Sequence, residues 1–257
     1  ALILAAGFGT RLLPLTRNIP KPMFPVLNKH ILEHCIGLLS SHNIRDIAIN
    51  LHHLADKVSD YFGSGENFGV RLTYSREKTI LGTAGGIKAL QHFLDGDSFI
   101  VMNGDIFMDI DLNQVIEFHA KNKACLTLVL RPATNKPDPI EVDANGRVTF
   151  FKGASINNIT QVTSHVTFTG LQIMEPEIFK RIPENRFCGT TDEIFPAMIK
   201  DGLPVYGYTH QGYWNDMGNQ KDYLQLHRDI FDGKILFENR QSFQTTQDPL
   251  IIPPVYI

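Results

Sequence analysis

The run Leu4-Ala5-Ala6-Gly7-Phe8-Gly9-Thr10-Arg11-Leu12 decides how this chain is read. It closes the apolar stretch Ala1 to Ala5, which is predicted as a first strand. Glycines directly after a strand let the backbone approach a ligand, and successive N–H groups there can cradle phosphate oxygens. The spacing departs from the dinucleotide-binding fingerprint, because Leu12 stands where a third glycine belongs. No Gly-Lys-Ser/Thr follows, so it is not a Walker A loop either. A redox dinucleotide enzyme is therefore disfavoured. Further on stand Pro14-Leu15-Thr16, Pro20-Lys21-Pro22-Met23 and Pro25-Val26. Pro20 and Pro22 have fixed φ, and a residue before proline is steered away from the α region, so Lys21 is expected on a stiff, extended segment. Arg11 as a planar fork and Lys21 as a point charge, beside a glycine cradle, suit a polyphosphate.

Outward from this loop, short apolar runs alternate with helical patterns. Strands are predicted at Asp46 to Leu51, Val70 to Tyr74, Ser98 to Met102 and Ala124 to Leu130. Helices are predicted at Ile31 to Leu39, Leu54 to Phe62, Thr83 to Phe93 and Leu112 to Ala120. Such alternation argues for an α/β fold: a Rossmann-like, doubly wound, mainly parallel sheet with ligands beyond the carboxyl ends of its strands. After Arg131 the pattern changes. Ile140 to Val142 and Arg147 to Phe151 flank the hairpin turn Asp143-Ala144-Asn145-Gly146, and His165 to Met174 and Pro204 to Thr209 add strands. Asp192 to Ile199 and Gln220 to Phe231 look helical. The expected layout is one domain over 1–231, a parallel half with the phosphate loop to about 130 and an antiparallel lid portion after it. The tail 232–257, with Pro249, Pro253 and Pro254, breaks helical periodicity.

At 257 residues, 43% hydrophobic and 20% charged, the chain reads as an ordinary globular protein. Its formal charge of −3 gives no general pull toward nucleic acid or an anionic membrane. No apolar run approaches the roughly 18 residues of a spanning helix. Cys35, Cys125 and Cys188 form no CxxC pair and are expected as reduced, buried thiols of a cytoplasmic protein. No signal peptide precedes the first strand, and Ala1 already lies inside an apolar run with no Met before it, so a few residues are expected upstream. The ten histidines show no metal-ligand spacing. Asp105 follows Gly104 where a predicted strand meets a loop, and Asp216 lies in the Gly-rich turn Gly212-Tyr213-Trp214-Asn215-Asp216-Met217-Gly218. Each alone reads as readily as a cap; together with a phosphate cradle they suit Mg²⁺, which takes a few carboxylates plus substrate phosphates. Asp111 is read as a helix N-cap, and Asp109 has no assigned role. The small residues Gly82 to Gly86 permit a flat base to lie against the chain, while Glu77-Lys78 is expected as solvated charge.

Leu4 to Val26 resembles the signature of the sugar-1-phosphate nucleotidyltransferases at every fixed position. Leu81-Gly82-Thr83-Ala84-Gly85-Gly86 is similar to that family's base-recognition loop, Asn103-Gly104-Asp105 to its metal-binding strand end, and Trp214-Asn215-Asp216-Met217-Gly218 to its second carboxylate motif. The resemblance implies an enzyme joining a nucleoside triphosphate (NTP) to a sugar 1-phosphate, with Arg11, Lys21, Asp105 and Asp216 as catalytic residues. It implies Mg²⁺ on Asp105 and Asp216. The nucleotide would lie on Ala5, Ala6, Gly7, Gly9, Thr10, Arg11, Gly82, Thr83, Ala84, Gly85 and Asn103. Many relatives carry Glu-Lys-Pro where this chain has Phe151-Lys152-Gly153. Lys152 would take the sugar's phosphate, Phe151 would pack against an apolar sugar face or point into the core, and Asp138, Thr169 and Gly170 are the candidates for the sugar. The loop and the Pro-rich tail look most like mannose-1-phosphate guanylyltransferases, in which such a tail opens a left-handed β-helix. N-acetylmuramate-1-phosphate uridylyltransferases and glucose-1-phosphate thymidylyl- or uridylyltransferases are the alternatives, together with a sugar-nucleotide-sensing regulatory subunit that does not turn over. A homo-oligomer is compatible with all of these.

Overall fold

The computed structural model describes residues 1–133, 140–156, 164–184 and 186–235; the Pro-rich tail lies outside them. Ten strands form the main sheet: β1 (Leu2–Leu4), β2 (Asp46–Leu51), β3 (Arg71–Arg76), β4 (Phe99–Asn103), β5 (Leu126–Pro132), β6 (Ile140–Val142), β7 (Val148–Phe151), β8 (Ala154–Ser155), β9 (Ser164–Met174) and β10 (Val205–Thr209). Their order is β8-β7-β6-β9-β4-β1-β2-β3, with β5 joining β9 to β10. The helices are α1 (Ile31–Ser41), α2 (Ala55–Phe62), α3 (Gly82–Ala89), α4 (Leu112–Asn122), α5 (Phe195–Lys200) and α6 (Gln220–Phe231).

The central strands β4, β1, β2 and β3 run parallel, as alternation with helices requires. Ile47, Ile49 and Leu51 pack on one face with Cys35, Ile36 and Leu39 of α1, whereas Ala48 joins Leu2, Ile87 and Val101 on the other. Burial on both faces explains why Ile47-Ala48-Ile49 of β2 is apolar without alternation. In register, Leu4 lies between Asn50 and Asn103, so three carboxyl ends finish in one row.

Strand β9 connects the two halves. Residues Leu171 to Met174 pair antiparallel with β4, and Ser164 to Val166 pair with β6. Against β5, Phe168 faces Leu130 and Gln172 faces Leu128, so Thr169-Gly170 forms a bulge where the partner changes. The hairpin turn forms at Asp143–Gly146, with Asp143 Oδ1 accepting the Asn145 and Arg147 amides, both at 2.9 Å. Phe151 is buried edge-on against Phe195.

Three local expectations are corrected. The helix expected over Thr83 to Phe93 breaks at Leu90, whose ψ of 16° leaves the helical range, and Gln91–Leu94 is a separate turn. The helix expected from Asp192 begins as a wide turn over Thr190–Ile194 before α5. Lys21 is not extended: Lys21–Met23 is a 3₁₀ turn closed by the Met23 amide on the Pro20 carbonyl at 2.8 Å. Pro22 is tolerated because the first amides of such a turn have no partner within it. Among the described residues, no helix is long and apolar enough to cross a membrane.

Candidate active site

Beyond the row of carboxyl ends opens a cavity of about 380 Å³, lined by Leu4 to Leu12, Lys21, Pro22, Asn50, Glu77, Ile80, Gly82, Thr83, Asn103 to Asp105 and Gly218. The two glycines of the first loop have different tasks. Gly9 has φ +64°, and a Cβ there would stand 2.7 Å from Thr16 Cγ2, whose hydroxyl donates to the Gly9 carbonyl at 2.9 Å. Gly9 is thus required by the fold. Gly7 has nothing within 4 Å of a Cβ position, so a side chain there would project into unoccupied space and meet no protein atom.

Asp105 and Asp216 are far apart in the chain, one after β4 and the other just before α6. The two-stranded ribbon Phe107–Met108 with Trp214–Asn215 joins them: Asn215 pairs with Phe107, which brings the residues flanking that pair to one end. Lys21, only 9% exposed, completes the cluster. Its Nζ donates to the Asp105 carboxylate and, at 3.2 Å, to the Asp216 carbonyl. The Gly218 amide donates to Asp216 Oδ1 at 3.2 Å, and a Cβ on Gly218 would meet the Arg11 guanidinium at 3.4 Å. Arg11, Lys21, Asp105 and Asp216 therefore share one corner. Beneath them Cys35 turns its thiol toward the Ile106 carbonyl at 3.5 Å. Burial above all, with the charge of Asp105 adding, pushes this thiol well above its ordinary pKa, so it stays protonated. Among the described residues, no group of three or more His, Cys, Asp or Glu side chains is arranged around a common point.

A second polar pair was not recognised in the sequence. Glu77, expected as solvated charge, is 8% exposed. Asn50 Nδ2 donates to its Oε1 at 2.7 Å and the Leu81 amide to its Oε2 at 2.9 Å, while Asn50 Oδ1 accepts the Ala5 amide at 2.8 Å. This strut ties the ends of β1, β2 and β3 to the entry of α3. Gly86 makes room for it, since a Cβ would lie 2.5 Å from Asn50 Nδ2. No sequence pattern near Asn50 or Glu77 marks the contact.

Of the loop expected to face the base, Gly82 and Thr83 line the cavity, but Ala84 and Gly85 are buried below it. Their amides are already taken by the Cys188 carbonyl, at 3.0 and 3.3 Å. Thr83 Oγ1 is 2.9 Å from Thr190 Oγ1 and accepts the Thr190 amide at 2.8 Å. Thr169, expected to read sugar hydroxyls, is instead in the core: its hydroxyl donates to the Val129 carbonyl, and its own carbonyl accepts from Trp214 Nε1, both at 2.8 Å. Gly170, at φ +92°, leaves room for Asn103, whose Nδ2 would be 2.6 Å from a Cβ. Lys152 sits at a hairpin tip with φ +45°, paired with Asp192 Oδ1 at 2.5 Å. Asp138 lies outside the described residues. Asp111 caps α4 by accepting the Asn113 amide, and Asp109 faces His210 Nε2 at 3.2 Å.

Residues 1–233 match the nucleotidyl transferase family. A UTP–glucose-1-phosphate uridylyltransferase of Synechocystis sp. is 34% identical over 250 residues, covering 91% of this chain and 64% of the relative. A mannose-1-phosphate guanylyltransferase of Mycobacterium tuberculosis is 32% identical over 239 residues, covering 91% of this chain and 65% of the relative. The chain thus spans just under two thirds of the length of these curated relatives. Among solved structures, HddC from Yersinia pseudotuberculosis has a TM-score of 0.73 at 22% identity, over 89% of this chain and 98% of that one. At that identity the likeness speaks for the fold. By the family match over nearly its whole length, the chain belongs to the nucleotidyl transferase family.

Proposed function

We propose that the protein transfers a nucleoside monophosphate from an NTP to a sugar 1-phosphate and releases pyrophosphate, with GTP and mannose 1-phosphate as its substrates. The observation that carries this reading is the position of Lys21, whose ammonium joins the Asp105 carboxylate to the Asp216 backbone beside the glycine cradle. A sugar-phosphate oxygen attacks the α-phosphorus. The new P–O bond forms as the bridge to the β-phosphate breaks, and the electron pair leaves on pyrophosphate. The nucleophile is already an anion, so no general base is needed. The work is to hold two repelling anions in line and to neutralise the charge that moves. Lys21 does this at the reacting phosphates and Arg11 at the departing pyrophosphate. Lys152, released from Asp192, binds the phosphate of the sugar. Asp105 and Asp216 offer hard oxygen donors at one corner and fit Mg²⁺, which completes its shell with phosphates and water. When bound, that ion would supply positive charge to the reacting phosphates.

The guanine assignment is supported by the Leu81 to Gly85 sequence and by the guanylyltransferase relative. The Synechocystis relative favours a second reading, UTP with glucose 1-phosphate. Measuring kcat/KM for the four NTPs against a panel of sugar 1-phosphates, by pyrophosphate release, tests both. The expected result is a preference for GTP of about tenfold or more, the scale of a matched hydrogen bond in a buried site. Equal or better turnover with UTP replaces guanine by uracil. No pyrophosphate from any pair leaves a sugar-nucleotide-sensing subunit.

A further inference from the structure

The loop that exposes backbone to the cavity also exposes a large apolar ring. Phe8 is 52% exposed and lines the cavity between Gly7 and Gly9. One side of the ring rests on two imidazoles: His52 edge-on at 5.1 Å between centroids, and His53 tilted at 6.3 Å. Both imidazoles are anchored, His52 Nδ1 at 2.7 Å from the Glu77 carbonyl oxygen and His53 Nε2 at 3.1 Å from that of Thr16. Phe8 is thus held by two anchored imidazoles while about half of its surface stays open at the cavity. Its position along the sheet matters. His52 directly follows β2, and Ile80 and Gly82 follow β3, whereas Asp105 follows β4. In the order β4-β1-β2-β3 these lie up to three strand spacings apart, roughly 14 Å. Charge gathers at the β4 side, and the exposed ring with Ile80 and a glycine stands at the β2–β3 side. A flat, apolar-faced group linked to phosphates matches both.

We propose that Phe8 stacks on the nucleobase of the bound nucleotide and sets its affinity without choosing the base. This rests on the nucleotidyl-transfer reading above. Stacking is tolerant of base identity because every base has a π face. The test measures binding of GTP and UTP, and KM for pyrophosphate in the reverse reaction, with wild-type protein, Phe8→Ala and Phe8→Tyr. In Phe8→Ala both nucleotides should weaken by the same factor, roughly tenfold, while Phe8→Tyr stays within about twofold of wild type. The melting temperature and KM for pyrophosphate should hold. Unchanged nucleotide binding in Phe8→Ala overturns the proposal. So does a KM for pyrophosphate that rises in step, which would make Phe8 a support of the phosphate cradle. So does a loss of stability shared by Phe8→Tyr, which would make the ring structural. A wild-type protein that binds no nucleotide refutes the functional reading itself, whereas tight wild-type binding with an unaltered Phe8→Ala refutes the stacking alone.

Discussion

The wall built by residues 4–105 and the hairpin that carries Lys152 are made on opposite terms. The wall hangs from three parallel strand ends in register, is tied by a buried Asn50–Glu77 strut, and uses Gly9 and Gly86, whose neighbours leave no room for a Cβ. The hairpin tip holds a lysine at positive φ, joined to Asp192 through an exposed ion pair. The strand ends and the buried strut are bonded before any ligand arrives. An exposed pair is screened by water and exchanges partners at little cost. In the proposed reading the nucleotide side is therefore preorganised, and the sugar side would form its phosphate contact by exchange.

That contrast can be broken first at the charged corner. Asp105→Asn should lower kcat by about a hundred- to a thousandfold, the scale of one preorganised electrostatic group. The change opens no cavity and the Asn amide oxygen can still accept from Lys21 Nζ, so the melting temperature should shift by no more than a few degrees. Near-normal kcat would remove Asp105 from the reaction. A smaller effect separates the two glycines. Gly9→Ala forces a side chain into the left-handed region, at about 1–2 kcal/mol, and onto Thr16, so thermal unfolding should shift down by several degrees. Gly7→Ala should unfold like wild type yet raise KM for the NTP. If the two variants behaved alike in both measurements, the wall would not be divided between folding and binding as described. The smallest effect is expected at the hairpin. Lys152→Ala should raise KM for the sugar 1-phosphate roughly fivefold with no measurable loss of stability, since an exposed pair contributes at most about 1 kcal/mol. An unchanged KM would place the sugar's phosphate elsewhere.

Much of the fold was legible because it rests on local pattern. Asp46 to Leu51 and Gln220 to Phe231 are found at the limits their periodicity predicts, and the Leu4 to Val26 run pointed to the cavity. What stayed hidden depends on partners distant in the chain. Glu77 looks like any charged loop residue until Asn50 and the Leu81 amide are placed on it. Ala84 and Gly85 offer free amides in sequence, and the Cys188 carbonyl takes them only in the fold. In sequence Thr169 is a candidate for the sugar, but in the bulge at Thr169-Gly170 its hydroxyl is buried on the Val129 carbonyl. The proline rule for Lys21 failed because a short turn tolerates proline near its start, and ligation of Asp105 and Asp216 outweighs the local preference.

The central claim is that one corner, Lys21 with Asp105 and Asp216, is where the phosphates react. The most direct measurement is a ³¹P NMR time course on GTP, mannose 1-phosphate and Mg²⁺ with wild-type protein and with Asp105→Asn. Wild-type protein should consume both substrates together and produce equal amounts of a sugar diphosphonucleoside and free pyrophosphate, while Asp105→Asn leaves the starting signals standing over the same period. Equal product growth in the two samples, or inorganic phosphate in place of pyrophosphate, would contradict the account.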